Sequence, residues 1–413
     1  MASQGTTPRW AILEKINRRR SWRWARRSFT ALVLVAVFAN FLANNKPLIC
    51  QYQGQWYAPA FRAVAVDLGL LSWPANMINL RWEQQQFAWV IWPPVPYAPN
   101  QKDIYNNSFT SPFGQQTVAS LQFRHWLGTD NLGRDVLAGL IWGTRVALLI
   151  GLGSMLISTF IGLLLGSLAG YFGDRGLRLQ RRQWLGALVG LAIGGYLGFV
   201  ARQPLWDLDH QLRYVLGGLL LTAGFCLGGG WLARKIGPKK WGQATWSIPA
   251  DTLVMRAIET INAIPALLLL LSIVAIVRQP SLLSIIIIIG LLRWTSIARF
   301  VRGELLRVRE LEYIAAARVA GFAPLRILWH HALPNALGPV YVALAFGVSG
   351  AILIEAGLSF LGIGMPADLM TWGRLLSFSR QSPAAWWLAV FPGLAIFVTV
   401  TVLNILGEVV NED

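Results

Sequence analysis

Few residues in this chain have the type and spacing to do chemistry, and each of them reads two ways. Glu355 sits inside an otherwise apolar run, where an ionised carboxylate is costly unless it is paired, hydrated or protonated. It either faces a solute pathway or makes a hydrogen bond that holds neighbouring helices together. His330 and His331 are adjacent, so on a helix they point about 100° apart and cannot form an i, i+4 metal pair. Asp207, Asp209 and His210 could gather a cation, but a solvated loop between two apolar runs accounts for them better. Glu259, one turn from Arg256, reads as half of an interfacial ion pair. The phosphate cradle Gly-x-x-x-x-Gly-Lys-Ser/Thr does not occur, so ATP is expected to be hydrolysed on another chain. Cys50 and Cys226 lie far apart in unlike surroundings and indicate neither a disulfide framework nor a metal site. No catalytic, metal-binding or cofactor-binding residue is therefore expected.

The elements that must position these residues are membrane helices. Of 413 residues 55% are hydrophobic and 13% charged, too apolar a balance for an ordinary soluble domain. The formal charge of +17 would suggest nucleic acid in a soluble protein. Here the basic residues sit in short segments between apolar spans, as the positive-inside rule expects, and nucleic-acid binding is rejected. The fold class predicted is an all-α polytopic membrane protein.

Residues 1–28 form a basic cytoplasmic N-terminus, with eight arginines and lysines against the single acid Glu14. An uncleaved first transmembrane helix follows at 29–45. Residues 46–143 are near charge balance and rich in Gln, Asn, Pro and Trp, which suits the external (periplasmic) side; Trp73, Trp82, Trp89 and Trp92 suggest pieces lying on the membrane surface. Thr129 or Asp130 can cap the helix that opens the 144–413 core. A span over about 146–169 carries Gly162, Gly166 and Gly170 at four-residue spacing, which brings a neighbouring backbone close. Residues 176–250 contain two apolar runs, about 184–201 and 214–233, with basic flanks at both ends. They read as a hairpin with both ends inside, and Gly186, Gly190, Gly194 and Gly198 predict tight packing on another helix. Further spans are expected at about 257–277, kinked by Pro265, then at 281–298 (after an outer turn of Arg278, Gln279 and Pro280), 336–362 and 386–406. The total is eight, with both termini cytoplasmic.

Between the spans ending near 298 and beginning near 336 lies EYIAAARVAGFAPLRILWHHALP, Glu312 to Pro334. Ala315, Ala316 and Ala317 favour a helix, with Leu305, Leu306, Leu311 and Ile314 along one face. Gly321 ends it, and Pro324 suits the first turn of a second helix striped by Leu325, Leu328 and Trp329. The spacing resembles the cytoplasmic coupling loop of permease subunits in binding-protein-dependent ABC importers: Glu-Ala-Ala, three residues, Gly, nine residues, Ile, one residue, Leu-Pro. Ala316, Ala317, Gly321, Leu333 and Pro334 are in register; Ala315 stands where the family usually has Glu, and His331 where it has Ile.

The run from His125 to Leu152, HWLGTDNLGRDVLAGLIWGTRVALLIGL, resembles the segment before the second core span in the dipeptide, oligopeptide and nickel class of these permeases, where it marks the C-type partner of a heterodimer. Glu355–Leu376 and Phe391–Glu408 resemble the same family. The resemblance implies six core helices, to which the hairpin adds two, and a permease forming the translocation pathway for peptides or a related small solute such as nickel. It also implies ATP-binding subunits, a second permease, an external binding protein and an inner-membrane location. An ion-coupled secondary transporter is the alternative; it needs paired ionisable groups at midmembrane, and Glu355 alone fits. A membrane enzyme would gather His, Asp or Glu at one membrane face, and the sequence shows no such gathering.

Overall fold

The computed structural model describes residues 20–74, 77–78, 80–202, 211–236, 245–277, 281–366 and 368–411. Asp207, Asp209 and His210, the turn Arg278–Pro280, and the basic residues before Arg20 lie outside the described residues. In chain order the main helices are α1 (Arg20–Val37), α2 (Pro59–Asp67), α3 (Val136–Ser167), α4 (Arg181–Gly195), α5 (Gln211–Ile236), α6 (Ala250–Asn262), α7 (Ala266–Ile276), α8 (Leu282–Val308), α9 (Glu312–Val319), α10 (Pro324–Ile327), α11 (Gly338–Phe360), α12 (Trp372–Ser379) and α13 (Trp387–Asn411). The predicted helical membrane fold holds, with two small exceptions. A three-stranded antiparallel sheet of β1 (Ile49–Tyr52), β2 (Gln55–Tyr57) and β3 (Trp89–Ile91), in the order β2-β1-β3, follows α1. A two-stranded ribbon pairs β4 (Arg178–Gln180) with β5 (Thr245–Ser247). Strands of three or four residues are too short to show a period in the sequence.

Among the described residues five helices are long and apolar enough to cross a membrane, or six if a bent pair counts as one span. Two expected spans fall outside that set. The first, expected at 29–45, belongs to a helix that already starts at Arg20, because nothing between Arg20 and Val37 breaks it; Arg20, Arg23, Arg26 and Arg27 occupy its first half. The second is α5, whose six glycines dilute its hydropathy. The core helix α3 begins at Val136 rather than near 144. Its cap is Asp135, not Thr129 or Asp130: the Ala138 amide donates to Asp135 Oδ1 at 2.6 Å. At Pro265 the chain does more than kink, since α6 and α7 meet at 82° and form either a broken span or a re-entrant turn. Proline has no amide to continue the ladder, and here it opens the second helix.

Chain contacts divide the protein into two compact units, 1–154 with 345–413, and 155–344. In the first unit, α13 packs on α1 and α12. The buried Trp372 lies over Gly143 and donates its indole N–H to the Leu140 carbonyl at 3.0 Å. Of the four tryptophans expected at a membrane surface, Trp82 and Trp92 are buried with Cys50 and Met77 in a small core behind the sheet, Trp73 packs against it, and Trp89 is exposed. In the second unit the predicted close approach at Gly162, Gly166 and Gly170 is made against α8, where added methyl groups would meet Ile297, Ala298 and Arg302. The hairpin glycines find their partner within the hairpin itself. Gly186 faces Gly229, Gly190 faces Phe225, Gly194 faces Thr222 and Gly198 faces Gly218, an antiparallel register. The ribbon β4–β5 closes the base of that hairpin, with Leu179 opposite Trp246.

Candidate functional site

The Glu312–Pro334 segment is built as helix, turn and helix. The greasy face expected over 305–314 is divided between two helices, because α8 ends at Val308 and α9 starts at Glu312. Leu305 and Ile314 are buried, whereas Leu311 is exposed. α9 closes in a Schellman motif: the Gly321 amide donates to the Arg318 carbonyl at 3.0 Å and the Phe322 amide to the Ala317 carbonyl at 3.2 Å. This requires φ > 0 at Gly321, observed as +77°, and a methyl group there would meet nothing within 4 Å. Pro324 occupies the first turn of α10, which runs into a π-helical turn at Leu328–Ala332 and a short helix at Leu333–Asn335.

The residues singled out in this segment divide by exposure. Ala315, Ala316, Gly321 and Pro334 are on the surface, while Ala317 and Leu333 are buried. Leu328 is buried as well, so the expected stripe of Leu325, Leu328 and Trp329 is not one outward face. The outward face is formed instead by Leu325, Trp329, Phe322 and Val319, the last 91% exposed. Val319 and Phe322 were not predicted; their flank position beside Gly321 was the available signal. Phe322 stacks flat on His331, with ring centroids 5.9 Å apart, and the Arg326 guanidinium lies over the Phe322 ring at 5.0 Å. His331, where the family pattern has Ile, thus packs a flat ring on Phe322. Four exposed apolar side chains within eleven residues, with Arg318 and Arg326 beside them, fit a protein partner.

The base of this segment is held by charge. Arg302 of α8 grips Asp251 of α6 with two N–H groups, Nη2 reaching Oδ2 at 2.7 Å. Asp174 accepts from the Thr252 amide at 2.9 Å and its hydroxyl at 2.8 Å, and these bonds hold its carboxyl below the usual range. Arg309 donates to the Gly170 carbonyl at 3.2 Å, and Arg318 to the Arg309 carbonyl at 3.1 Å. The start of α6, the end of α3 and the end of α8 are thereby tied together beneath α9. The expected Arg256–Glu259 pair is present at 2.8 Å, with both partners exposed.

Glu355 is 1% exposed within the first unit. The Ser359 hydroxyl donates to its Oε1 at 2.6 Å, and Thr371 also hydrogen-bonds the carboxyl. Thr371 caps α12 by accepting from the Arg374 amide at 3.2 Å, so Glu355 joins α11 to the start of α12. That is the packing geometry of the two alternatives read in the sequence.

The densest polar site was read only as a family signature. His125 is fully buried; its Nδ1 lies 2.8 Å from Asp135 Oδ2, its Nε2 lies 3.2 Å from Asp103 Oδ2, and Tyr97 stacks on its ring at 4.3 Å. Burial disfavours the imidazolium, but the hydrogen bonds and charges of Asp135 and Asp103 outweigh it and raise the His125 pKa. Burial likewise pushes Asp103 up, and is outweighed by bonds from Asn106, His125 and the Tyr105 amide, which leave it lowered. Beside it Arg134 pairs with Asp130 at 2.6 Å, both buried, and Trp387 donates to the Thr129 carbonyl at 3.0 Å. Gly133 turns with φ +76°, directly against the Asp103 carbonyl. The Leu-Gly-x-Asp-x-x-Gly-Arg-Asp run is thus a buried polar turn, tied to Trp387 and Gln381, that ends in the cap of α3. Among the described residues no three His, Cys, Asp or Glu side chains are placed to hold a metal ion.

Over residues 244–412 the chain matches the family described as "Binding-protein-dependent transport system inner membrane component". It is 28% identical, across 98% of this chain and 95% of the relative, to the "Inner membrane ABC transporter permease protein YejE" of Escherichia coli strain K12. Identity is 27%, across 99% and 92%, with the "Peptidoglycan transport system permease protein YejE" of Agrobacterium fabrum. A Brucella suis biovar 1 protein, provisionally named a peptide transport system permease, is 32% identical across 69% of this chain and 71% of its own length.

Proposed function

The chain belongs to the binding-protein-dependent transport system inner membrane components, ABC importer permeases that form the translocation pathway, and from that premise we propose that it carries peptides and is driven through the Glu312–Pro334 segment. The peptide assignment is supported by the name that the Brucella suis relative bears. The family implies ATP-binding subunits and an external binding protein as partners. We propose that ATP is bound only on those subunits, that a second, related permease completes a heterodimer, and that both termini are cytoplasmic.

The observation that carries the coupling role is the exposed apolar face of Val319, Phe322, Leu325 and Trp329 around a turn that only glycine adopts without strain. Ala315, Ala316, Gly321 and Pro334 let an ATP-binding subunit approach closely, while the buried Ala317 and Leu333 hold the two short helices in place. Closure of the ATP-binding subunits displaces this segment together with its charged base. The core helices then exchange between two states that bind substrate differently, with ATP supplying the bias. Glu355 acts in this scheme as a joint between α11 and α12 rather than as a solute ligand.

The test is peptide uptake into proteoliposomes holding this chain, its partner permease and the ATP-binding subunits, with binding protein outside. Uptake is expected to require ATP and the ATP-binding subunits. Uptake by this chain alone under an ion gradient would establish a secondary transporter instead.

A further inference from the structure

The α4–α5 hairpin carries a groove on one side whose chemistry is divided in two. Its volume is about 880 Å³, and its walls are apolar, with Leu185, Val189 and Ile193 on one helix and Leu221, Phe225 and Leu232 on the other. Arg182 is the sole polar residue among those lining it. It lies at the end where a methyl group on Gly186 would meet Ala233. At this same end the hairpin collects Arg178, Arg181, Arg234 and Lys235, and neither 175–202 nor 211–236 contains an acidic residue. Two exposed indoles mark the same level: the Arg181 guanidinium lies over Trp246 at 5.7 Å, and the Lys235 ammonium over Trp231 at 4.3 Å. Tryptophan beside arginine and lysine is the composition of headgroup depth, and basic pockets between membrane helices receive anionic headgroups.

The outer surface of the hairpin is open along the groove. Arg181–Val200 has 17% of its apolar window buried, the lowest of the five candidate spans. Gly224 and Gly228 line the groove yet have no atom within 4 Å of an added methyl group, unlike Gly186, Gly190 and Gly229 at the helix contact. We propose that this groove is a binding site for an anionic phospholipid. One acyl chain lies in the trough over Gly224 and Gly228, and the phosphate sits at Arg182 within the basic end. A membrane helix of another protein could use the glycines, but it would leave the concentration of charge at one end without a counterpart; a phospholipid matches both halves at once.

The experiment is native mass spectrometry of the full-length protein released from nanodiscs of mixed phosphatidylglycerol and phosphatidylcholine. Wild type is expected to retain phosphatidylglycerol in preference to phosphatidylcholine. Gly224→Leu combined with Gly228→Leu fills the trough from open positions and should lower that retention at least tenfold. Gly195→Leu, an equally open glycine that does not line the groove, should leave it unchanged. Arg181→Gln combined with Arg182→Gln should abolish the preference for the anionic lipid while the chain still binds lipid. Unfolding temperatures matching wild type establish that each variant is folded. Equal retention by wild type and the filled trough, or no discrimination between the two lipids by wild type, would overturn the proposal. So would a polypeptide released from the filled-trough variant in place of lipid.

Discussion

Gly133 and Gly321 share nearly the same φ, +76° and +77°, and have opposite surroundings. A methyl group on Gly133 would stand 2.0 Å from the Asp103 carbonyl oxygen, while one on Gly321 would touch nothing within 4 Å. The first glycine is required twice, by the turn and by the space; the second is required by the turn alone. The same contrast runs through the regions around them. The His125 cluster turns its polar groups inward and satisfies them within one unit, as a structural element does. The Glu312–Pro334 segment turns Val319, Phe322, Leu325 and Trp329 outward, as an element awaiting a partner does.

The largest separation is expected from one substitution made at both glycines. Gly133→Ala should cost roughly 3 kcal/mol or more, combining left-handed strain with overpacking, and Gly321→Ala about 1 kcal/mol from strain alone. Thermal unfolding in detergent reads both; equal losses would erase the distinction. Gly321→Val, bulkier on a surface that meets a partner, should in addition weaken recovery of the ATP-binding subunit.

His125→Gln tests whether the inward cluster is structural. Breaking a buried charged pair by removing one partner costs about 3 kcal/mol, and the loss should depend on pH. Since the His125 pKa is raised on folding, its contribution is complete below the ordinary histidine value and is lost as pH rises through the folded value. Asp103 is lowered, so its contribution is present above the ordinary carboxylate value and is lost as pH falls through the folded one. Stability of the wild type should therefore be greatest between about pH 4 and 6.5 and decline on the alkaline side. The variant should lack the alkaline decline. An unchanged pH profile would mean that the imidazole is not held as an ion between the two carboxylates.

Val319→Asp with Leu325→Asp is the matching test of the outward segment. Exposed positions of this kind change stability by no more than about 0.5 kcal/mol, so unfolding should hardly move. Recovery of the ATP-binding subunit on the permease should fall at least tenfold. A large loss of stability with normal recovery would reverse the roles given to the two regions.

The smallest effect is expected at Glu355. Glutamine keeps one acceptor oxygen for Ser359 and offers an amide N–H to the rotatable Thr371 hydroxyl, so Glu355→Gln should cost under about 1 kcal/mol and leave the substrate concentration for half-maximal uptake unchanged. A shift in that concentration without loss of stability would return this residue to the pathway.

The Glu312–Pro334 segment was legible because local rules suffice there: three alanines favour a helix, Gly321 stops it and Pro324 restarts it. Which of its apolar residues face outward was not, because a π-helical turn at Leu328–Ala332 changes the period and takes Leu328 inward. Four-residue glycine spacing announced close approach at both Gly162–Gly170 and Gly186–Gly198. It could not say that the first row meets α8 and the second meets the other arm of its own hairpin, since a period describes a face and not what covers it. The pairing of His125 with Asp103 spans 22 positions of loop and has no periodic trace, and the small sheet has strands too brief to leave one.

The ribbon that closes the hairpin also bears on how such a gene changes. Gln180 and Thr245 stand opposite each other in the ribbon, and the Ile248 amide reaches the Leu177 carbonyl at 2.8 Å, so the two ends of the segment leave and rejoin the core at one place. A tight turn could replace everything between them. Were both arms to cross a membrane, gaining or losing them together would preserve the sidedness of every helix downstream, and the ribbon would be the place to splice the segment, or an engineered fluorescent domain, in or out.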